Sequence, residues 1–394
     1  MGTYYVDAPV DAAELDEDIE IAVNCLRLMY EQGVPFFTLR ALQDIVRQLD
    51  HHGANPPAHT YEHDSMSDSD QDEECCPVIS IPAINGTVVQ TRLKTGLVKP
   101  GETDDTEYVL YVHPHLCYRS FQHLCDDILT SYLSLQWAYC PTQLNYRMME
   151  RRIHTESFLD DLGREAPESV QNAFEDGIKK WEASPQCIQL RALFDTMSLP
   201  TVSNIVAFAC CTMAVKVVQE HTVSQHALVL TLRDILQTRQ QQDDDMERQH
   251  TEQPPEIRCF AQDPLYDDAD EKILRRAGIA VVQDPRGFLE VNNQSVVLSF
   301  SPNAPVRQII ADLARPAILI WNRVSGEADD GERWSVTAPL DRRLLRSETE
   351  GSPRISTDPE SPRLWTMMGN HYDKVAELGP GGLFGDAVVY VRRE

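Results

Sequence analysis

Between residues 203 and 323, short apolar runs alternate with stretches whose apolar positions recur at helical spacing. The runs are Ile205–Ala209, Ile257–Ala261, Ile279–Val282, Val296–Phe300 and Ala317–Trp321. Gln225–Leu236 sets Leu228, Leu232, Ile235 and Leu236 on one helix face. Asp268–Ala277, stopped by Gly278, and Val306–Leu313 read as further helices, and Leu289–Asn292 as a short excursion. This alternation predicts a parallel sheet wrapped by helices, because each parallel connection needs a crossover element. Runs without polar alternation suit strands buried on both faces. Right-handed crossovers then predict the strand order 3-2-1-4-5 with Ile205–Ala209 central. The expected fold class is α/β, a doubly wound parallel sheet with a helical N-terminal extension.

The flanks divide by pattern. Residues 14–32 predict a helix through Ile19, Val23, Leu26 and Tyr30, ended by Gly33; Thr38 then caps a second one carrying Leu42, Ile45, Val46 and Leu49. Residues 1–52 are thus a helical extension. Residues 53–77 are polar and acidic, too poor in apolar surface to offset their ordering entropy, and predict a disordered linker. Within 78–180, the runs VISI, TVVQTRL and EYVLYV predict strands, with turns at Asn85-Gly86 and Pro100-Gly101. Helical patterns follow over 116–139, 142–161 and 168–182, and this block is expected to pack on the core. Residues 181–324 form the sheet domain and 325–362 a flexible loop. Within 363–394, Ala387–Val391 is a strand expected to return to the sheet edge.

Composition narrows the function classes. Hydrophobic residues make up 42% and charged residues 25%, the balance of a soluble globular protein. With 62 acidic and 35 basic residues the formal net charge is -27, and no Lys/Arg-rich run stands out. That field repels a phosphate backbone, so direct nucleic-acid binding is not expected. Ten cysteines show no evenly spaced framework, and several lie inside apolar runs. The acidic N-terminus predicts no signal peptide, and no stretch of 18 apolar residues predicts a membrane span. The expected compartment is reducing, cytoplasm or nucleus.

Several stretches in fixed order carry a resemblance: WEASPQC at 181–187, SNIVAFA at 203–209, Gln225-His226-Ala227, CFAQDP at 259–264, LRRAGIAVVQDPRGFLEV at 274–291 and FSPNAP at 300–305. LFGDAVVYVR at 383–392 adds a weaker echo. Together they resemble the Sensitivity To Red Light Reduced family, in its fungal-type form. The resemblance implies a Rossmann-like domain and a regulatory role; members are linked to circadian and light signalling and to regulation of haem biosynthesis. It implies no established catalytic activity. Relatives commonly carry a Gly-Leu-Gly-Ser type turn after the first strand. This chain has Ala209, Cys210, Cys211 and Thr212 there. A cysteine in left-handed geometry costs about 1–2 kcal/mol, so either the turn is strained or it differs.

Candidate chemistry gathers at the carboxyl ends of the strands. Asp263 follows the second strand, where an acid in such sheets accepts ribose hydroxyls of a nucleotide or S-adenosylmethionine. The alternative is that Asp263-Pro264 merely turns the chain. Asp284-Pro285 and Ser301-Pro302 follow the third and fourth strands in the same way. Gln225 and His226 are expected at a helix N-terminus facing this rim, His226 as a packing or capping residue. A ligand at the rim would be met by Asp263, Gln225, Thr212, Cys210 and Ser301. Cys210 and Cys211 are either a reactive pair or buried inert thiols. His113, His115, Cys117, His123 and Cys125 fit no common zinc spacing, and no metal is assigned. Cys76-Pro77 and Cys140-Pro141 are dipeptides of the haem-responsive kind. No Ser-His-Asp signature, P-loop or H-E-x-x-H occurs. The sequence therefore points to a regulatory protein with protein partners and no identified cofactor. Its rivals are an S-adenosylmethionine-dependent methyltransferase-like enzyme and a haem-responsive sensor.

Overall fold

The computed structural model describes residues 12–53, 76–95, 98–100, 106–109, 114–129, 135–146, 149–152, 163–247, 256–326, 356–379 and 383–393. Most of the expected linker 53–77 and loop 325–362 lies outside them. The chain divides into two compact units, residues 1–159 with 332–359, and residues 160–331 with 360–394.

In the first unit, α1 (Ala12–Glu31) and α2 (Leu39–Gly53) form where helical spacing predicts them. The Thr38 hydroxyl accepts from the N–H of Ala41 at 3.2 Å. A hairpin follows, β1 (Val78–Pro82) with β2 (Val88–Arg92). The Gln48 amide of α2 bonds both the N–H and the C=O of Ser80, at 2.7 and 2.9 Å. Next come β3 (Val98–Pro100), β4 (Thr106–Val109), β5 (Pro114–Tyr118) and α3 (Phe121–Leu129). They are followed by β6 (Thr142–Tyr146) and β7 (Met149–Arg152). Two expectations fail here. Among the described residues, the helical pattern over 116–139 yields the short α3 and a single 3-10 turn at Leu135–Trp137, and the described part of 142–161 forms strands where a helix was expected. β6 pairs antiparallel with β5, and β7 with β4. The partner strands lie tens of residues upstream, and such pairing overrides local helical periodicity.

The second unit opens with α4 (Pro167–Glu182) and α5 (Pro185–Thr196). Sequence patterning missed α5, although its signal is present: Ser184 accepts from the N–H of Cys187, and Pro185 opens the helix. The sheet then builds through β8 (Asn204–Phe208), α6 (Gln219–Glu247), β9 (Arg258–Gln262), α7 (Asp268–Arg276) and β10 (Ile279–Val281). It continues with α8 (Arg286–Glu290), β11 (Ser295–Ser299), α9 (Val306–Leu313), β12 (Ile318–Asn322), α10 (Pro362–His371), β13 (Tyr372–Glu377) and β14 (Ala387–Arg392). The seven strands lie in the order β10-β9-β8-β11-β12-β14-β13. The first five are parallel and reproduce the expected 3-2-1-4-5 order, while β14 and β13 add on antiparallel. β14 is thus not the edge; the charged strand β13 covers it.

Both faces of the sheet are packed. Ile205, Ala207, Leu298 and Ile320 share one buried cluster with Leu228, Leu232 and Ile235 of α6. On the opposite face, Phe208 stacks on Phe288 of α8, ring centroids 4.4 Å apart. The α6 helix runs well beyond the expected Gln225–Leu236 at both ends. Its polar first turns are tolerated because the hydroxyls of Thr222 and Ser224 donate to the carbonyls of Val218 and Glu220. Gln225 consequently sits inside the helix and not at its N-terminus.

Candidate functional site

The strand order reverses between β8 and β11, which places the crevice of a doubly wound sheet outside their carboxyl ends. The backbone is unusual at that point. Among the described residues, Ala209, Cys211 and Ser301 are the non-glycine residues with positive φ, at 56°, 62° and 47°. All three lie within three residues of the carboxyl ends of these two strands. The strained branch of the sequence expectation therefore holds for Cys211. Such a conformation persists where surrounding contacts over-determine it.

The contacts around Cys211 come from two acids. Asp263, just after β9, accepts from the N–H of Cys211 at 2.7 Å and from that of Leu265 at 2.9 Å. Asp270, in the first turn of α7, accepts from the N–H of Met213 at 2.9 Å and from the Thr212 hydroxyl. It also closes a capping box with Asp267. The Thr212 hydroxyl accepts in turn from the N–H of Ala214 at 3.1 Å. Arg164 pairs with Asp267 and binds the carbonyl of Leu265 at 3.4 Å. A hydrogen bond to a carboxylate contributes about 1.5–3 kcal/mol, enough to offset the 1–2 kcal/mol of one left-handed residue. Burial pushes both carboxyls above the usual range, and the N–H groups they accept hold them partly down.

Beneath this loop lies a buried chain of titratable groups. His226 donates from Nδ1 to the Thr222 carbonyl at 2.7 Å, so Nε2 accepts from the Tyr266 hydroxyl at 2.6 Å. Desolvation lowers the histidine to about 4, and it is neutral at pH 7. Tyr266 also bonds the Cys210 thiol. Burial, reinforced by the Asp263 carboxylate, pushes both Cys210 and Cys211 upwards. Burial therefore disfavours the thiolate form at both positions.

The expected site residues are only partly gathered. Cys210, Thr212 and Asp263 meet in the β8 loop. Ser301 is tied elsewhere, its N–H donating to Oδ1 of Asn322 at 2.7 Å. Gln225 is buried, and its Oε1 has no hydrogen-bond partner. Sequence reasoning missed Asp270 and Tyr266; the Asp267-x-x-Asp270 spacing at the start of α7 was the available signal. In the first unit, His123 bonds the Ser120 hydroxyl at 2.8 Å, and burial pushes the Cys125 and Cys140 thiols up to about 12. Among the described residues, no group of three or more His, Cys, Asp or Glu could hold a metal, and no helix is long and apolar enough to cross a membrane.

A cavity of about 490 Å³ opens at the same rim. Its lining includes Gly177, Lys180 and Trp181 of α4, Lys216, Gln219 and Val223 around the start of α6, and Leu378 and Phe384 around the β13–β14 connection. Phe384 meets Trp181 edge-on at 5.2 Å and Phe300 at 5.3 Å, linking the cavity to the end of β11.

No curated protein and no solved structure matches the chain. A family model, the SRR1 domain, matches residues 190–377, from within α5 to the last residue of β13. That span contains the β8 loop, both anchoring acids and all five parallel strands. Over residues 190–377 the chain is similar to the SRR1 domain family.

Proposed function

We propose that this chain is a regulatory protein whose SRR1 domain responds to a partner or small ligand at the carboxyl rim, without using a nucleotide or S-adenosylmethionine. One observation carries this reading. The N–H groups of Cys211, Met213 and Ala214 donate to Asp263, Asp270 and Thr212. In nucleotide-binding sheets the N–H groups of this loop face the phosphates. Here two carboxylates of the same chain hold the anion positions. An incoming phosphate would meet their charge and have to displace them from buried donors. Asp263 directs each of its oxygens to a backbone N–H, which leaves it poorly placed to read a ribose.

The test is thermal unfolding and titration calorimetry of the full chain with S-adenosylmethionine, NAD and ATP at millimolar concentration. No stabilisation is expected. A ligand at 100 times its Kd stabilises by about 2.7 kcal/mol. A rise in Tm of that order, abolished by Asp263→Asn, would show that the acid reads a nucleotide after all and would overturn the proposal.

A further inference from the structure

We infer that the cavity between α4, the start of α6 and the β13–β14 connection binds an amphipathic anion: an aromatic or aliphatic body carrying one negatively charged group. The inference rests on the ligand-responsive reading above and deepens it. The floor determines the body of the ligand. Trp181, Val223, Leu378 and Phe384 are buried there. The polar groups among them are already satisfied within the protein. Trp181 Nε1 donates to the Thr231 hydroxyl at 2.9 Å, and the Ser224 hydroxyl to the Glu220 carbonyl at 2.7 Å. The Gln219 amide donates to the Met213 carbonyl at 2.9 Å and accepts from Lys216 at 3.2 Å. A floor with no polar group left to match favours an apolar body. The edge-on pair of Trp181 and Phe384 suits a ring. The volume of about 490 Å³ lies within the range of small-ligand sites and admits a fused two-ring body.

The mouth determines the head group. Asp176 pairs with Lys179 at 3.1 Å across two exposed side chains. Lys180 has no hydrogen-bond or ion-pair partner among the described residues, and Lys216 bonds only a neutral amide. Lys179, Lys180 and Lys216 thus stand against two carboxylates, Asp176 and Glu220. The N-termini of α5 and α6 also open here, through Ser184, Gln186 and Gln219. Each adds partial positive charge, which the C-terminus of α4 beside them partly offsets. On a chain of formal charge -27, this is a local cationic mouth over an apolar floor.

The experiment uses two fluorescent probes that share one aromatic body. 8-Anilinonaphthalene-1-sulfonate carries a sulfonate; N-phenyl-1-naphthylamine does not. The full chain is expected to bind the sulfonate at one site at least tenfold more tightly than the neutral probe. Reversing the mouth, Lys180→Glu with Lys216→Glu, should weaken the sulfonate at least tenfold and leave the neutral probe within twofold. Ala173→Trp, which fills the cavity, should abolish both, with an unchanged urea midpoint. If Ala173→Trp does not fold, Glu220→Trp at the exposed mouth replaces it. Sulfonate binding that survives the filling variant, or equal binding of both probes, overturns the inference. S-adenosylmethionine binding that survives the filling variant overturns the reading of the β8 loop and leaves this one standing.

Discussion

Asp263 holds the N–H groups of Cys211 and Leu265, and Asp270 that of Met213, and through them the carboxyl-end loop of the central strand keeps a conformation that a non-glycine residue resists. Removing the Asp263 carboxylate leaves two donors without an acceptor and Cys211 without its support. Asp263→Ala is therefore expected to lower stability by about 2–3 kcal/mol in urea unfolding, since each abandoned partly buried donor costs about 1–3 kcal/mol. An unchanged midpoint would assign the acid to a ligand instead. His226 supplies a second expectation at this scale. Its folded value, about 4, lies below the ordinary 6.5. Its contribution is thus fully present above pH 6.5 and is lost as pH falls towards 4, by up to about 3 kcal/mol at 1.4 kcal/mol per pH unit. The buried carboxyls of Asp263 and Asp270 act with the opposite sign, because their raised values make ionisation costly as pH rises. The clean measurement is accordingly the difference between wild type and His226→Leu. That difference should be large at pH 7.5 and shrink steadily to pH 4.5; a pH-independent difference would mean that the histidine is not held neutral.

At the scale of elements, agreement and error separate by the range of the interactions involved. β8 to β12 are legible because each is a continuous apolar run between turn residues, and a strand buried on both faces needs nothing else. α5 was legible too, from Ser184-Pro185, and was overlooked. β5, β6 and β7 were not, because their pairing partners lie far away in sequence and their own patterns admit a helix. β13 escaped for another reason. Its burial is low at Asp373, Lys374 and Glu377, and its register shifts between Lys374 and Ala376. Charge and irregularity of this kind blunt an edge strand and also erase the alternation by which a strand is recognised. β14, between β12 and β13, carries the load instead: Ala387 to Val391 are all buried. A chain ending at Glu377 keeps the whole family match but loses β14. It is expected to lose cooperative thermal unfolding, since β12 would become an unpaired apolar edge. A truncated chain that melts with the wild-type midpoint would show that the five parallel strands suffice.

At the scale of the whole molecule, the formal charge of -27 and the cationic cavity mouth act over different distances. The average field discourages polyanions at long range, and the mouth selects one small anion at contact range. The sequence alone determined the class of fold and the order of the five parallel strands. Those depend on local periodicity and on the handedness of crossovers, and both are written in short windows of residues. It could not determine where the side chains at that rim turn. That Asp263 folds back onto the N–H of Cys211, and that Asp270 joins it, was decided by contacts across more than fifty residues. That Phe384 closes on Trp181 to shape a cavity was decided across about two hundred. Such contacts arise only when the strands are stacked and the chain returns on itself, so they belong to the tertiary structure and to no stretch of the sequence.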